Sequence, residues 1–430
     1  MLGFLSVFFD AATETLDRAA LRKRQLRRVQ ELVGEILPNN RFYSRRLGLD
    51  CRVDDWEEFH KLPFTTKAEL AEDQQSEPPF GTDLTYPLER YVKFHQTSGT
   101  TGKAPIRWLD TEASWEWWAN CWGHVFRGAG VGEGDRVFYA FSFGPFIGFW
   151  AAYEGARKVG AMTVPGGGME TQQRLQAMQD SGATVLCCTP TYALRMAEMA
   201  EQIGIDLRSV GVRATVHAGE PGASIPAVRD RIEQAFGAAC HDHTGMTELG
   251  ATGFTCEEKA GVHLIESEFV FEVIDPATGW LVKDGEQGEL VATNLGRAGS
   301  PLIRYRTGDL VELDPSPCRC GRTFARLKGG ILGRADDMVI VRGVNVFPSA
   351  VEGVLREFPE INEFRIEVFS VREMAELRIL IDAQSGTNAA LAQLVADRLH
   401  DRLLLRVPCE LVPAGSLPRF ELKARRVVRR

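Results

Sequence analysis

The chain has 430 residues, 44% hydrophobic and 25% charged, ordinary values for a globular protein with room for two or three domains. Its formal net charge of -8 argues against non-specific nucleic-acid binding, and no apolar run approaches the roughly 20 residues that span a bilayer. Nine cysteines, in a chain that reads as lacking a secretory leader, fit a reduced cytoplasm better than a disulfide scaffold.

Residues 1–9 are apolar but short, lack a basic lead-in and meet Asp10 at once, so they read as the start of an amphipathic helix and not as a signal peptide. Helix is expected over residues 10–37, with the basic run between Arg18 and Arg28 as a solvated face and Asn39-Asn40 near its end. A short helix over 54–62 follows. After it, Leu62-Pro63-Phe64-Thr65 is extended and Thr66 caps a new helix. Residues 90–94 and 106–108 read as strands. Between them runs His95-Gln96-Thr97-Ser98-Gly99-Thr100-Thr101-Gly102-Lys103-Ala104-Pro105. This is not a Walker loop, because no helix follows and the GxxxxGK[ST] spacing is absent. The chemistry still suits phosphate. Gly99 and Gly102 let the backbone turn and expose N–H groups. Thr97, Ser98, Thr100 and Thr101 add hydroxyls, and Lys103 adds charge, so together they can wrap a polyphosphate. A Ser/Thr/Gly surface turn is the alternative reading of this stretch alone.

A Trp-rich helix is expected over 111–130. Strand patterns over 136–141, 161–165, 184–190 and 214–218 then alternate with helices, which implies a parallel sheet with helices on both faces. Ligands of such sheets sit at the C-terminal ends of strands. The aromatic run from Phe141 to Phe149 and the Gly219-Glu220-Pro221 turn fall at such ends. After Glu248 the texture changes to strands over 269–275, 288–293 and 309–313, a mostly β subdomain from about residue 250. The last hundred residues read as a small α+β domain.

Four further stretches carry chemistry. They are Asp242-His243-Thr244-Gly245-Met246-Thr247-Glu248, Arg304-Tyr305-Arg306-Thr307-Gly308-Asp309-Leu310, the run 333–348 with Arg334, Asp336, Arg342 and Gly343, and Gly415-Ser416-Leu417-Pro418-Arg419-Phe420-Glu421-Leu422-Lys423-Ala424. In order and spacing, these and the phosphate loop resemble the adenylate-forming superfamily of acyl-CoA synthetases, luciferases and adenylation domains. Residues 62–67, 342–348 and the compact length resemble its phenylacetate–CoA ligase branch. The resemblance covers nearly the whole chain. It implies an α/β fold: a large N-terminal domain, 1–334, of mixed and parallel sheets flanked by helices plus the β subdomain, and a small C-terminal α+β domain, 335–430, on a hinge at Asp336.

It also implies an ATP-dependent aryl-CoA ligase that joins a carboxylate to ATP and then passes the acyl group to CoA. Attacking oxygen and phosphates are all negative, so positive charge must be supplied where they meet. Glu248 matches a Mg²⁺-binding glutamate, and an oxygen ligand suits that ion. Thr97 to Lys103 would hold the β- and γ-phosphates, Asp309 both ribose hydroxyls, and Arg334 ribose or phosphate. Gly219, Glu220 and Pro221 would lie along the adenine, with Asp242, His243, Thr244 and Thr247 nearby. Lys423 would touch the carboxylate and the α-phosphate. In the second half-reaction the small domain would rotate, bringing Gly343 beside the pantetheine arm. Thr244 stands where the family carries an aromatic residue that stacks on adenine, with His243 or His241 as replacements. Leu422 replaces a glycine and Phe420 a small polar residue.

Phe141, Phe143 and Phe146, with His217, Ala218 and Gly245, are read as the acid pocket, and the phenylalanines suggest a flat aromatic acid; plain core packing is the alternative. Cys256, His263, Cys318 and Cys320 match a cluster carried by relatives of this branch. Three thiolates and an imidazole make a tetrahedral structural zinc set, and reduced thiols without metal are the other reading. Three alternatives to CoA ligation stand: transfer to a carrier protein or amine, adenylation of a coenzyme that stops there, and a catalytically idle paralogue. The resemblance also leaves a homodimer open.

Overall fold

The structure, a computed structural model, describes residues 7–97, 105–141, 144–145, 147–220, 222–335, 337–341, 344–371, 374–420 and 424–429. Side-chain caps set most helix starts. Thr66 accepts the Glu69 N–H, and Glu69 accepts the Thr66 N–H in return, a capping box that starts helix Lys67–Ser76. Asp55 starts Trp56–Lys61 and Thr111 starts Glu112–Gly128 through side-chain caps that accept the Glu58 and Ser114 N–H groups. The helix expected over 10–37 divides into Ala11–Glu14 and Arg18–Ile36, each begun by its own aspartate, Asp10 and Asp17. Val7, Phe8 and Phe9 are not helical. Asn40 starts a further helix, Arg41–Leu47, where the sequence suggested an end; a short polar side chain serves either terminus.

The basic face of helix Arg18–Ile36 is not all in solvent. Arg18 pairs with Glu266 at 2.7 Å, and Arg28, only 16% exposed, pairs with Glu268 at 2.8 Å. Between them Gln25 donates to the carbonyls of Glu266 and Phe269. The polar face therefore docks on the β half through matched hydrogen bonds.

The strands are β1 (Tyr91–Gln96), β2 (Arg107–Thr111), β3 (Arg136–Tyr139), β4 (Met162–Pro165), β5 (Val185–Cys188), β6 (Ala214–His217), β7 (Ala239–Met246), β8 (Gly250–Phe254), β9 (Val262–Leu264), β10 (Phe269–Ile274), β11 (Gln287–Asn294), β12 (Tyr305–Asp314), β13 (Arg326–Leu327), β14 (Gly333–Arg334), β15 (Val339–Val341), β16 (Val344–Val346), β17 (Ile361–Val371), β18 (Met374–Ala383), β19 (Cys409–Val412) and β20 (Val427–Arg429). β1 and β2 form a separate antiparallel ribbon. One 12-stranded sheet runs β10-β11-β12-β13-β9-β8-β7-β6-β5-β3-β4, with β14 added to β12. From β7 to β4 all pairing is parallel; from β7 towards β10 it is antiparallel. The expected β subdomain is thus continuous with the parallel half, because β7 bonds β6 along one edge and β8 along the other.

β5 and β6 are buried at every residue, as strands covered on both faces must be. Helix Glu112–Gly128 is buried nearly all round, and small residues seat its tryptophans. A Cβ on Gly155 would stand 2.2 Å from the Trp122 Cβ, and one on Gly296 would stand 2.1 Å from the Trp117 ring. The small C-terminal α+β domain has a sheet β19-β18-β17-β20, helices Pro348–Leu355 and Ala390–Leu403, and its own core around Val351, Ile366, Ile379 and Val395. Among the described residues, no helix is long and apolar enough to cross a membrane.

Candidate active site

A cleft of ≈ 300 Å³ opens where β6 and β7 end, the crevice that a parallel sheet offers to ligands. Its walls come from four regions: the turn after β6 from Gly219 to Ile225, the β7–β8 hairpin, β12 with β14, and the small domain through helix Pro348–Leu355, β17 and the tail at 424–427.

The pairing of β12 with β14 sets Asp309 opposite Arg334. Arg334 Nη1 donates to Asp309 Oδ1 at 3.0 Å and to the Thr307 carbonyl at 3.1 Å. Gly308 between them has φ +74, and a Cβ there would meet Arg334 Nη2 at 2.7 Å. Only glycine permits both the turn and this approach.

Glu248 follows β7 and is 6% exposed. Lys67 Nζ lies 3.0 Å from its Oε1. Lys67 reaches it because residues 62–66 are strapped to β12: the Thr65 N–H donates to Arg304 and the Arg306 N–H donates to Thr65. Arg304 takes φ +47, and its guanidinium grips both Glu272 carboxylate oxygens and the carbonyls of His60 and Leu62. Behind Glu248 stands a pair that sequence reading missed. Arg297, fully buried, forks onto Asp110 with two 2.7 Å bonds and donates through Nη1 to the carbonyls of Thr247 at 3.0 Å and Glu248 at 2.8 Å. The Thr247–Glu248 turn is therefore held from inside the core. An arginine in the loop Asn294-Leu295-Gly296-Arg297 carries no periodic signal that would have marked it.

Asp242 is buried and accepts from the Ser224 hydroxyl and the His243 N–H. Burial pushes its carboxyl up to about 6. Thr244 shares a 3.1 Å bond with Thr252. The His243 ring is committed elsewhere: Nδ1 donates to the Gly253 carbonyl at 2.8 Å and the ring lies 4.3 Å from Trp122. Burial holds it down at about 4, so it is neutral. His241 is buried away from the cleft walls. Gly245 lines the cleft, and a Cβ there would meet the Gly250 carbonyl at 2.7 Å.

Thr97 and Ile106 flank the loop expected to hold phosphate: the Thr97 N–H donates to the Ile106 carbonyl and its hydroxyl accepts the Ile106 N–H, both at 3.0 Å. Glu220 is partly buried, and its two oxygens accept from the Thr191 and Ala424 N–H groups. Two residues expected in the acid pocket are buried and do not line the cleft. Phe141 is 1% exposed and packs on Tyr139, where the end of β3 turns it into the core. His217 is fully buried at the end of β6, with Nε2 on Thr215 and Nδ1 on the Cys188 carbonyl. Ala218 is buried and bonds β5 through its N–H. Ser98, Gly99, Thr100, Thr101, Gly102, Lys103, Phe143, Phe146, Pro221, Asp336, Gly343 and Lys423 lie outside the described residues.

Cys256, His263, Cys318 and Cys320 present four ligand atoms within 4.8 Å of one another. Cys256 and Cys318 sulfurs are 3.8 Å apart, and Cys320 Sγ is 3.5 Å from His263 Nε2. Tetrahedral zinc with bonds of about 2.3 Å to sulfur and 2.0 Å to nitrogen requires edges of about 3.8 and 3.5 Å. His263 Nδ1 donates to the Phe324 carbonyl at 3.1 Å, which leaves Nε2 as the ligand nitrogen. The donor set fits zinc.

Residues 61–296 match the AMP-binding enzyme family and residues 343–430 match the AMP-binding enzyme C-terminal domain. The chain is 32% identical to the phenylacetate-coenzyme A ligase of Thermus thermophilus over 98% of its own length and 99% of the relative's. It is 31% identical to that of Escherichia coli over 96% of each. It superposes on 2-hydroxyisobutyryl-CoA ligase in the postadenylation state with 2-HIB-AMP at TM-score 0.92 and 30% identity, covering 99% of this chain and 93% of the other. Against the same ligase with 2-HIB-AMP and CoA in the thioesterification state the TM-score is 0.74, at 31% identity over 99% and 92%. With both family matches in place and near-complete alignment to these relatives, the chain belongs to the AMP-binding enzyme family of adenylate-forming ligases, in its phenylacetate–CoA ligase branch.

Proposed function

We propose that the protein is an ATP-dependent, AMP-forming aryl-CoA ligase. The observation that carries this reading is the convergence on one cleft of Asp309 with Arg334, of the turn bearing Glu248, and of the tail that follows Lys423. In the first half-reaction a carboxylate oxygen attacks the α-phosphorus, the bond to the bridging oxygen breaks, and pyrophosphate leaves. In the second the CoA sulfur attacks the acyl carbon, the bond to AMP breaks, and a thioester forms.

Asp309 accepts from the ribose hydroxyls, with Arg334 holding it in place. Thr97 to Lys103 wrap the outer phosphates, and the Thr97 hydroxyl, already accepting from Ile106, keeps its own proton to donate. Gly219, Glu220 and Pro221 border the adenine with Asp242 and Thr244. Glu248 is a buried carboxylate now paired with Lys67, and its oxygen would suit Mg²⁺ once that ammonium gives way. That ion would neutralise phosphate charge as the leaving group develops. Lys423 is the catalytic lysine, a long flexible ammonium suited to the carboxylate and the α-phosphate. The domains divide at 334/335, with Asp336 as hinge and Gly343 beside the incoming pantetheine. The Cys/His cluster holds structural zinc. Nine unpaired cysteines support a reduced cytoplasmic setting, and dimerisation is to be read by light scattering.

The experiment is pyrophosphate release from ATP and Mg²⁺ against phenylacetate, benzoates, 2-hydroxyisobutyrate and fatty acids, with and without CoA. An aryl acid giving AMP and an acyl-CoA supports the reading. Release without a thioester moves the acceptor to a carrier protein or an amine. Activity on aliphatic acids alone overturns the aryl assignment.

A further inference from the structure

The Glu220 side chain does something that its place beside the adenine does not require. Its Oε1 accepts the Thr191 N–H at 3.0 Å, and its Oε2 accepts the Ala424 N–H at 2.9 Å. Thr191 lies in the first turn of helix Pro190–Ile203, in the large domain. Ala424 belongs to the C-terminal tail and directly follows Lys423 in the sequence. The same helix receives the rest of the tail. Arg426 donates to the Thr191 hydroxyl at 3.3 Å while gripping Glu363 and Glu352 of its own domain, and Arg419 pairs with Glu198 at 3.4 Å.

We propose that Glu220 is a positioning residue, a latch that seats the Lys423 tail on the large domain for the first half-reaction and lets go for the second. The inference rests on the ligase reading above. Three observations support it. Both carboxylate oxygens are used, one for each domain, and a carboxamide has one acceptor oxygen where a carboxylate has two. Both bonds are charge-assisted and partly shielded from water, which strengthens them. The chain as a whole superposes on the postadenylation arrangement of 2-hydroxyisobutyryl-CoA ligase at TM-score 0.92 and on the thioesterification arrangement at 0.74, so the Glu220–Ala424 bond belongs to the arrangement that the first of these represents.

The test compares full-length wild type, Glu220→Gln, and Ala424→Pro, which removes the donated N–H. Hydrogen–deuterium exchange reads the bond directly: uptake over 424–429 should rise in Glu220→Gln. Phenylacetate-dependent ATP–pyrophosphate exchange should fall roughly tenfold in both variants, the worth of one charge-assisted hydrogen bond. Thioester formation from supplied phenylacetyl-AMP and CoA should stay at the wild-type rate or rise in Ala424→Pro. Unchanged uptake at 424–429 overturns the latch. So does an equal fall of both half-reactions, which would make Glu220 a nucleotide-site or folding residue. A wild type silent in pyrophosphate exchange overturns the ligase reading instead, and deuterium uptake still decides the latch.

Discussion

The Cys256–His263–Cys318–Cys320 cluster draws all its side chains from the antiparallel half, whereas the ≈ 300 Å³ cleft takes its walls from both halves of the sheet and the small domain. The cluster is closed. Its Cys256–Cys318 and Cys320–His263 spacings, 3.8 and 3.5 Å, already match tetrahedral zinc edges, and the remaining His263 nitrogen is bonded to Phe324. The cleft is open. Asp309 on its wall and Glu248 in the turn beside it lean on Arg334 and Lys67, which are 37% and 56% exposed at their side chains and so in reach of a ligand. A set built on one rigid element holds shape; a set shared among four regions can bind, react and rearrange. What both share is a buried, carboxylate-paired arginine close behind. Arg322, paired with buried Glu14 at 2.6 Å, follows the cluster's turn as Arg297 backs the cleft's.

This contrast can be broken at four points. The largest effect should come from Arg297→Met, which strands Asp110 as a fully buried unpaired charge. A loss of about 3–5 kcal/mol is expected in urea unfolding, with much of it recovered in Arg297→Met/Asp110→Leu. Next come Glu248→Gln and Lys423→Ala. Each should lower the rate of pyrophosphate release about 10²–10³-fold, the range for deleting one preorganised electrostatic contact, with the melting temperature nearly unchanged. Full activity in either variant would remove that residue from the machinery.

Third is the pH dependence at Asp242. Burial holds its carboxyl at about 6 in the fold, against about 4 in the unfolded chain. The native state thus binds the proton more tightly. The stabilising effect is complete below pH 4 and is lost as the pH rises through 6, a change of about 3 kcal/mol. Asp242→Asn should flatten that slope between pH 4 and 7; a slope matching wild type would place the titration elsewhere. Smallest is the metal cluster. Cys318→Ser, or stripping metal with a chelator, should lower the melting temperature by roughly 5 °C while the KM for ATP stays put. Elemental analysis should find one zinc per chain. A raised KM with no loss of stability would tie the cluster to the cleft.

Much of this protein was legible from its sequence, because the signals concerned are local. Caps at Thr66, Thr111 and Asp55 act over three residues. The β-α alternation, and five motifs in order, sufficed to predict the parallel half, the small domain and the family. The Cys/His set could be named because thiolate and imidazole donors are rare and distinctive. Tertiary structure decided the rest, where the partner is far along the chain. Arg297 and Asp110 are separated by 187 positions, and Glu220 and Ala424 by 204; neither pairing leaves a spacing to read. The basic face of helix Arg18–Ile36 looked solvated until Glu266 and Glu268 met it. Phe141 and His217 sit at strand ends as expected, but burial and two satisfied ring nitrogens turn them to the core. Sequence alone determined which chemistry the chain carries, because residue type and local spacing specify caps, loops and ligands. Only the fold decided which charges are paired and buried, because that depends on desolvation by residues hundreds of positions away.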